Sequence, residues 1–280
     1  ISTRKKRRRP QNPTCHWLFS TVRNNQRRDM IKLKEEVDLT GYTLVLPSVA
    51  VGNVGQLAVD LFISSLNARR IGYIWSSEFI PIFGPDPYDE NSSDLCTALD
   101  VFCSPEKKVL LLQIRSPLIK EPVIFFDELQ NFIAEKNIAK VVILTSSYSH
   151  ERRDHQIRTV PLRYLASQDI MLEHSEKFNR LNWTYLESKA VEDGSSEVLE
   201  IPGGGFAKAL YDALLKIKIP CIVLLRFCSE GDNVPDAVEL ASYLDQWLQL
   251  FSKDVSGNLI ITKPPSWKFL FGNNPPLEIF

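Results

Sequence analysis

Short runs of consecutive apolar residues recur along the chain, at 42–46, 71–75, 109–114, 141–145 and 221–227. Because these runs are continuously apolar rather than alternating, they indicate strands of a sheet that is covered on both faces. A sixth run, 99–103, is followed by Ser104-Pro105-Glu106-Lys107, a sequence that favours a turn. It therefore predicts an antiparallel hairpin with 109–114. We expect a mixed, mostly parallel sheet.

Segments with helical periodicity lie between these runs, at 55–67, 125–136, 206–216 and 235–251. In 55–67 the polar residues form one narrow stripe, consisting of Gln56, Asp60, Ser64 and Asn67. The rest of this helix is apolar, so we expect it to lie largely buried against the sheet. The alternation of strands and helices predicts an α/β fold of three layers.

The helix predicted at 235–251 has one apolar face, made of Ala237, Leu240, Ala241, Leu244, Leu248 and Phe251. Its polar positions, which we expect to face water, are Asp236, Glu239, Gln246 and Gln249. Asp232 and Asn233 precede the helix and are candidates for its N-cap.

Charge is distributed unevenly between the start of the chain and the rest. Residues 1–29 contain nine Lys or Arg and one acid, which leaves 24 basic and 33 acidic residues in 30–280. A body with a net charge near −9 is a poor partner for nucleic acid. The basic run 5–9 resembles a nuclear-localisation signal, but we expect 1–29 to be an over-extended start or added sequence outside the fold.

Apolar runs and cysteines narrow the class of protein further. No run of 18 apolar residues occurs, so the sequence predicts no membrane-spanning helix. The cysteines are Cys15, Cys96, Cys103, Cys221 and Cys228. Their odd number argues against a disulfide framework, and the absence of a C-x-x-C pair argues against a zinc site. The cytosol is therefore the expected compartment.

Two glycine-rich segments precede predicted helices and are candidates for anion binding. Gly52-Asn53-Val54-Gly55 lacks the third glycine of a dinucleotide fingerprint and the Gly-Lys-Ser/Thr ending of a P-loop. Gly203-Gly204-Gly205 has no cationic residue within the loop, and Lys208 lies beyond it on the helix. We interpret the first segment as a tight turn and the second as a flexible turn, and we expect no cofactor.

Other polar clusters offer weaker candidates for catalysis or metal binding. His150 and His155 are five residues apart, which on a helix places them on different faces and disfavours a shared metal. The serine run 146–149 lacks the G-x-S-x-G elbow of a hydrolase. The acidic loop 229–233 does not match an EF-hand, and its charge suits the start of a helix. We therefore predict no catalytic residue and no metal site.

The chain changes character after residue 251. Pro264-Pro265 and Pro275-Pro276 interrupt regular structure, whereas Trp267, Phe269, Leu270 and Phe271 are too apolar to remain in water. We expect three regions: a basic extension at 1–29, an α/β domain at 30–251 and a partly docked tail at 252–280.

Several strings from Leu39 to the end of the chain resemble the proteasome assembly chaperone 2 family. They are 47–58, 71–73, 163–165, 181–183, 201–205, 229–237 and 266–272. The residues that carry the family signature are Gly52, Asn53, Gly55, Gln56, Gly203, Gly204, Gly205, Glu230, Gly231, Asp232 and Asn233. No residue of 1–29 takes part in the resemblance.

The resemblance implies a nucleoside-phosphorylase-like α/β topology, no catalysis and no cofactor. It implies a chaperone that pairs with proteasome assembly chaperone 1, binds proteasome α subunits and promotes formation of the α ring, in the cytoplasm and also the nucleus. Two other classes stay open: an enzyme that retains a phosphorylase-like site, and a homo-oligomeric scaffold unrelated to proteasomes.

The end of the tail departs from the pattern that the family implies. Related chaperones end in a hydrophobic-Tyr-any motif that enters a pocket between α subunits, whereas this chain ends in Glu278-Ile279-Phe280. We expect Leu277, Ile279 and Phe280 to supply the contacts with an α subunit. We expect Trp267, Phe269 and Phe271 to fix the tail to its own domain.

Overall fold

The computed structural model describes residues 30–190 and 197–270. Its strands are β1 (Ile31–Leu33), β2 (Thr43–Pro47), β3 (Arg69–Ile74), β4 (Phe83–Pro85), β5 (Leu95–Thr97), β6 (Leu99–Ser104), β7 (Val109–Ile114), β8 (Lys140–Tyr148), β9 (Leu162–Ala166), β10 (Lys189–Ala190), β11 (Glu197–Val198) and β12 (Cys221–Cys228). Its α-helices are α1 (Val54–Ser65), α2 (Val123–Glu135), α3 (Asp154–Ile157), α4 (Gln168–Arg180), α5 (Ala207–Lys216) and α6 (Val234–Leu248).

The main sheet has eight strands in the order β1-β3-β6-β7-β2-β8-β12-β9. Strand β2 lies between β7 and β8 and is parallel to both, and β8 is parallel to β12. Strands β6 and β7 form the antiparallel hairpin expected from the sequence, and β3 is antiparallel to β6. Five of the eight strands therefore run in one direction, which confirms the mixed, mostly parallel sheet.

Helices cover both faces of this sheet. Helices α1, α4 and α6 pack on one face, where Phe62, Phe178 and Leu240 are buried. Helices α2 and α5 pack on the other, where Leu129 and Leu210 are buried. The three-layer α/β fold is thus confirmed, and the continuous apolarity of the central strands results from burial on both faces.

Helix α6 differs from its sequence-based prediction in its end and in its polar face. It ends at Leu248 because Gln249 takes a left-handed conformation with φ of 54°. The expectation that Asp236 and Glu239 face water is wrong. Both carboxylates are half-buried and form ion pairs with Arg226, at 2.8 Å for Asp236 Oδ1.

Helix α4 and strand β9 were not expected from the sequence. Helix α4 is mostly polar, and only Ile170 and Phe178 are fully buried, so its apolar signal is weak. The start of α2 lies at Val123, two residues earlier than predicted, because Glu78 accepts hydrogen bonds from its first turn. Among the helices of the described ranges, none is long and apolar enough to cross a bilayer.

Candidate functional site

Three loops of the signature converge at the carboxyl ends of β2, β8 and β12. The segment 48–53 follows β2, and Ser229–Asn233 follows β12. The triglycine segment 203–205 comes from elsewhere in the chain and lies against both the 48–53 segment and the end of β8. In sheets of this kind, the carboxyl edge of parallel strands is where binding sites form.

Hydrogen bonds join the triglycine segment to the neighbouring strands. The Val51 N–H donates to the Gly203 carbonyl at 2.9 Å. The hydroxyls of Ser48 and Thr145 both donate to the Gly204 carbonyl, each at 2.9 Å. These bonds connect residues more than 50 positions apart in sequence, so the 48–53 segment, the triglycine segment and the end of β8 form one unit.

Glycine is required at two positions where these loops approach each other. Gly205 has φ of +60°, and a Cβ there would lie 2.1 Å from the Val49 carbonyl oxygen. Gly52 has φ of +66°, and a Cβ there would lie 2.6 Å from Asn233 Oδ1. Both the left-handed backbone and the lack of space exclude a side chain. Gly205 therefore allows backbone to pack on backbone, and Gly52 allows the Asn233 side chain to pack on backbone.

Serine hydroxyls are frequent at these loops, but they already donate hydrogen bonds to backbone carbonyls. Ser146 Oγ donates to the Val51 carbonyl at 2.5 Å, and Ser147 Oγ donates to the Pro202 carbonyl at 2.7 Å. A serine nucleophile needs a base that accepts its proton. The acceptors here are backbone carbonyls, which hold the loops together and cannot take up a proton.

Each of the two histidines that follow β8 has its own partner. The ring of His150 stacks on Tyr148 with centroids 5.0 Å apart. His155 lies in α3, and its Nε2 is 2.9 Å from Glu187 Oε2. Within 30–190 and 197–270, no group of three or more His, Cys, Asp or Glu is placed to hold a metal ion.

Two of the cations close to the signature loops are paired with carboxylates, and a third, Arg152, donates to backbone carbonyls instead. Arg226, at the end of β12, pairs with Asp236 and Glu239 on α6. Lys208, at the start of α5, pairs with Asp212 at 2.6 Å. The loop after β12 also exposes Glu230 and Asp232. An incoming phosphate would therefore meet an acidic rim and cations that already have hydrogen-bond partners.

The thiols at the two ends of β12 are buried and unreactive. Burial raises the pKa of Cys221 to about 12 and that of Cys228 to about 11, with nearby carboxylates adding to both shifts. At neutral pH both groups are almost entirely protonated, and only a thiolate acts as a nucleophile or metal ligand.

A second feature begins where the last described segment returns to α1. The Thr262 N–H donates to Ser65 Oγ at 2.9 Å, and the Ser266 N–H donates to the Pro87 carbonyl at 3.3 Å. Trp267 packs against the α1 side of the core, and its indole Nε1 lies 3.4 Å from Asp60 Oδ2. We call residues 262–270 the tail root.

Asp60 is the centre of a buried polar cluster beneath the tail root. Its Oδ1 accepts hydrogen bonds from Tyr88 and Gln113 at 2.5 Å and from Arg115 at 3.0 Å. Burial, followed by the charge of Asp60, raises the pKa of Tyr88 well above its ordinary value. Burial lowers the pKa of Arg115, but the charge and hydrogen bond of Asp60, together with Tyr88 and Cys96, outweigh burial and raise that pKa. The cluster therefore holds one buried ion pair.

Gln56 connects the signature loops to this cluster. Its side-chain amide donates to the Ile114 carbonyl at 2.9 Å, and its own backbone carbonyl accepts from Gln113 Nε2 at 2.9 Å. Gln56, Asn53, Trp267 and Leu270 line one groove between α1 and the tail root. The first turn of α1 thus belongs to both features.

The same arrangement of sequence is found in known proteins. The profile of the PAC2 family matches residues 44–255. The chain belongs to the PAC2 family. The match begins within β2, includes the strands from β3 to β12, the signature loops and α6, and ends before the tail root.

Relatives of this PAC2-family chain match it over most of their length. Proteasome assembly chaperone 2 of Bos taurus is 41% identical over 254 residues, which is 87% of this chain and 96% of the relative. Proteasome assembly chaperone 2 of Homo sapiens is 40% identical over 255 residues, with the same coverage. The recognition made from the signature strings is thus confirmed.

Among solved structures, Pyrococcus furiosus PbaA, described as an archaeal homolog of proteasome-assembly chaperone, has the same fold. Its TM-score is 0.58 at 16% identity, covering 80% of this chain and 88% of that one. At this identity the likeness concerns the fold alone, and it agrees with the α/β class expected from the sequence.

The structure brings together most of the residues that the sequence marked as signature, and it describes two of the tail residues. Gly52, Asn53, Gly205 and Asn233 lie within the converging loops, whereas Glu230, Gly231 and Asp232 are exposed at their rim. Trp267 lies on α1. Phe269 ends a 3-10 turn, Pro265–Phe269. Outside the described residues lie Phe271, Leu277, Ile279 and Phe280.

The buried ion pair of Asp60 and Arg115 was missed by sequence reasoning. Asp60 stood out only as one of four residues in a polar stripe, and Arg115 as the residue after an apolar strand. The signal that could have found them is Asp60 itself: it is flanked by Val59 and Leu61 on an otherwise apolar helix, so its charge needed a partner.

Proposed function

We propose that this PAC2-family chain is a non-catalytic proteasome assembly chaperone. In this proposal it forms a heterodimer with proteasome assembly chaperone 1, binds proteasome α subunits and promotes formation of the α ring. Its compartment is the cytoplasm, with the nucleus as a second location.

The observation that carries the proposal is the 41% identity to a named proteasome assembly chaperone 2 over 254 residues. This chain covers 96% of that relative, so the likeness extends over the whole assembly factor rather than one shared module. Fold alone would be a weak argument, because one fold hosts many functions.

The geometry of the signature loops supports a binding role. Glycines and hydroxyls that could have formed an anion or catalytic site are used to pack loop on loop, as at Gly205 and Ser147. Two cations nearby, Arg226 and Lys208, are paired with carboxylates. A phosphorylase-like enzyme would need an unpaired cation at this edge. The loop after β12 adds an exposed acidic rim, which suits contact with a protein.

The test is purification of the tagged chain from cells, followed by identification of its partners by mass spectrometry. We expect proteasome assembly chaperone 1 in near-equal amount and α subunits enriched over a tag-only control, with β subunits depleted relative to α subunits. Recovery of the chain without the first chaperone and without α subunits would contradict the proposal.

A further inference from the structure

An exposed apolar surface lies beside β3, on residues other than those of the signature loops and the tail root. We call it the platform, and its members are Tyr73, Trp75, Ile80, Ile82, Phe83 and Leu95. Trp75, Phe83 and Leu95 are the most accessible, at 63%, 65% and 60% exposure. None of the six carries a charge. Large apolar side chains grouped in this way mark an interaction site.

The platform is held rigidly from below. Phe79, between its members, is buried and meets Phe125 edge to face at 5.2 Å. Buried Glu78 accepts hydrogen bonds from the N–H groups of Ile124, at 3.0 Å, and Phe125, at 2.7 Å. Ser116 Oγ donates to the Ile80 carbonyl at 2.6 Å. The segment that turns Trp75 to Phe83 outward is therefore fixed before any partner arrives, which favours binding.

The hairpin of β4 and β5 supplies the other half of the platform. Phe83 pairs with Thr97, and Leu95 is two residues from Thr97, so Phe83 and Leu95 share one face of this hairpin. Arg70 holds the hairpin to β3, since its guanidinium donates to Asp94 Oδ2 at 2.7 Å and to the Leu95 carbonyl.

A concavity of about 250 Å³ opens in the platform between Tyr73, Trp75 and Phe83. The polar side chains at its wall are those of Ser76 and Thr97, and neither is charged. A pocket of this kind accepts one apolar side chain from a partner, which is the usual arrangement at the centre of a protein interface.

The area of the platform suits a stable protein interface. A buried aromatic residue contributes about 150–250 Å², so the exposed fractions of the three aromatics and three aliphatics together leave about 500 Å² of apolar surface. One side of a standard interface covers about 800 Å², of which about 60% is apolar. The platform therefore supplies the apolar part of one such side.

We infer that the platform is the surface through which this chain pairs with its heterodimer mate, proteasome assembly chaperone 1. The inference rests on the proposed function and adds where the mate binds. An apolar surface of this size drives non-specific association while it is in water. A constant companion covers it at all times, whereas an α subunit is bound only during assembly. We expect the mate to insert a protruding apolar side chain into the concavity.

The first experiment is co-expression with affinity-tagged proteasome assembly chaperone 1 and measurement of the co-purified chain. We expect a 1:1 complex for the unmodified chain and at least a tenfold lower recovery for the double variant W75D/F83D. The matched control is L172D on α4, where Leu172 is 77% exposed and stands apart from the platform. We expect its recovery to stay within twofold of the unmodified chain. An uncharged pair, W75Q/F83Q, separates loss of contact from charge repulsion.

A second experiment does not depend on disrupting the complex. Phe83→p-benzoylphenylalanine introduces a photo-crosslinker at the platform with little change in shape, and Leu172→p-benzoylphenylalanine is its control. We expect light to join position 83, and not position 172, covalently to proteasome assembly chaperone 1.

The remaining outcomes each overturn the inference in a recognisable way. If the mate binds the unmodified chain and W75D/F83D equally and position 83 gives no crosslink, the platform is wrong while the proposed function stands. A crosslink from position 83 to an α subunit or to a second copy assigns the platform to that occupant instead. If the unmodified chain binds no first chaperone at all, the proposed function fails as well.

Discussion

Replacing Asp60 with alanine tests the ion pair that links the tail root to the domain. Asp60 and Arg115 side chains are 9% and 20% exposed, and their charged atoms are 3.0 Å apart. Removing one member of a buried pair costs about 3–5 kcal/mol, because the other charge is left without compensation. Tyr88 still accepts a hydrogen bond from Arg115 at 2.6 Å, so we place the loss at the lower end, about 3 kcal/mol.

For a domain of this size, about 3 kcal/mol lowers the midpoint of thermal unfolding by about 6–12 °C. The assay is thermal unfolding of the chain in its heterodimer, at one fixed protein concentration, followed by circular dichroism. The matched control is D212A, which removes an aspartate of α5 that pairs with Lys208. The Asp212 side chain is 46% exposed. An exposed i,i+4 pair contributes about 0.3–0.5 kcal/mol, so D212A is expected to change the midpoint by at most about 2 °C.

The double variant D60A/R115M tests the physical cause of that loss. If the stranded guanidinium is responsible, removing it restores part of the stability, and the double variant unfolds above D60A. Equal midpoints for D60A and D212A would refute the buried-pair account. A double variant that unfolds below D60A would instead show that the loss comes from packing.

Four further predictions follow from the loops, the core and the tail. Trp267→Ala is expected to destabilise the domain by about 2 kcal/mol, because a large apolar contact with α1 is lost, and unfolding in urea measures this. Gly205→Ala is expected to abolish soluble expression, because its Cβ would collide with the Val49 carbonyl; normal yield and midpoint would contradict the close packing. Burial, with nearby Lys140, lowers the pKa of His174 in the folded chain. As the pH falls below about 6.5, His174 is therefore protonated in the unfolded chain before it is protonated in the folded chain, and the folded chain loses stability. His174→Gln is expected to lose less of its thermal midpoint between about pH 7.5 and about pH 5.5 than the unmodified chain, and equal losses would contradict this. Deleting 277–280 is expected to weaken α-ring binding about tenfold, or about 1.4 kcal/mol, without affecting the heterodimer, as measured by biolayer interferometry.

The central strands were predictable from sequence because a strand that is buried on both faces has an unbroken run of apolar residues. Strand β9 was not predicted because Arg163 interrupts its run of apolar residues. The Arg163 side chain is nevertheless buried, with only 1% exposed. Its guanidinium donates to the carbonyls of Val160, at 2.9 Å, and Leu162, at 2.7 Å. Local sequence gives no sign that backbone carbonyls will satisfy a buried cation.

The residues of the site were partly predictable, but their arrangement was not. The glycines of both loops could be identified because glycine in such turns has a conformational cause. That Ser48 would bond to Gly204, 156 residues away, depends on the order of strands in the sheet. The Asp60 cluster likewise joins α1, β7 and the loop after β4, which are adjacent only after folding.

Formation of the α ring from purified subunits tests the central claim most directly. Recombinant α subunits are mixed with the heterodimer of this chain and proteasome assembly chaperone 1, or with the first chaperone alone, and closed rings are counted by native electrophoresis and electron microscopy. We expect the heterodimer to raise the yield of closed rings and to migrate with α-subunit intermediates. An unchanged yield, with no α subunit migrating with the heterodimer, would contradict the account.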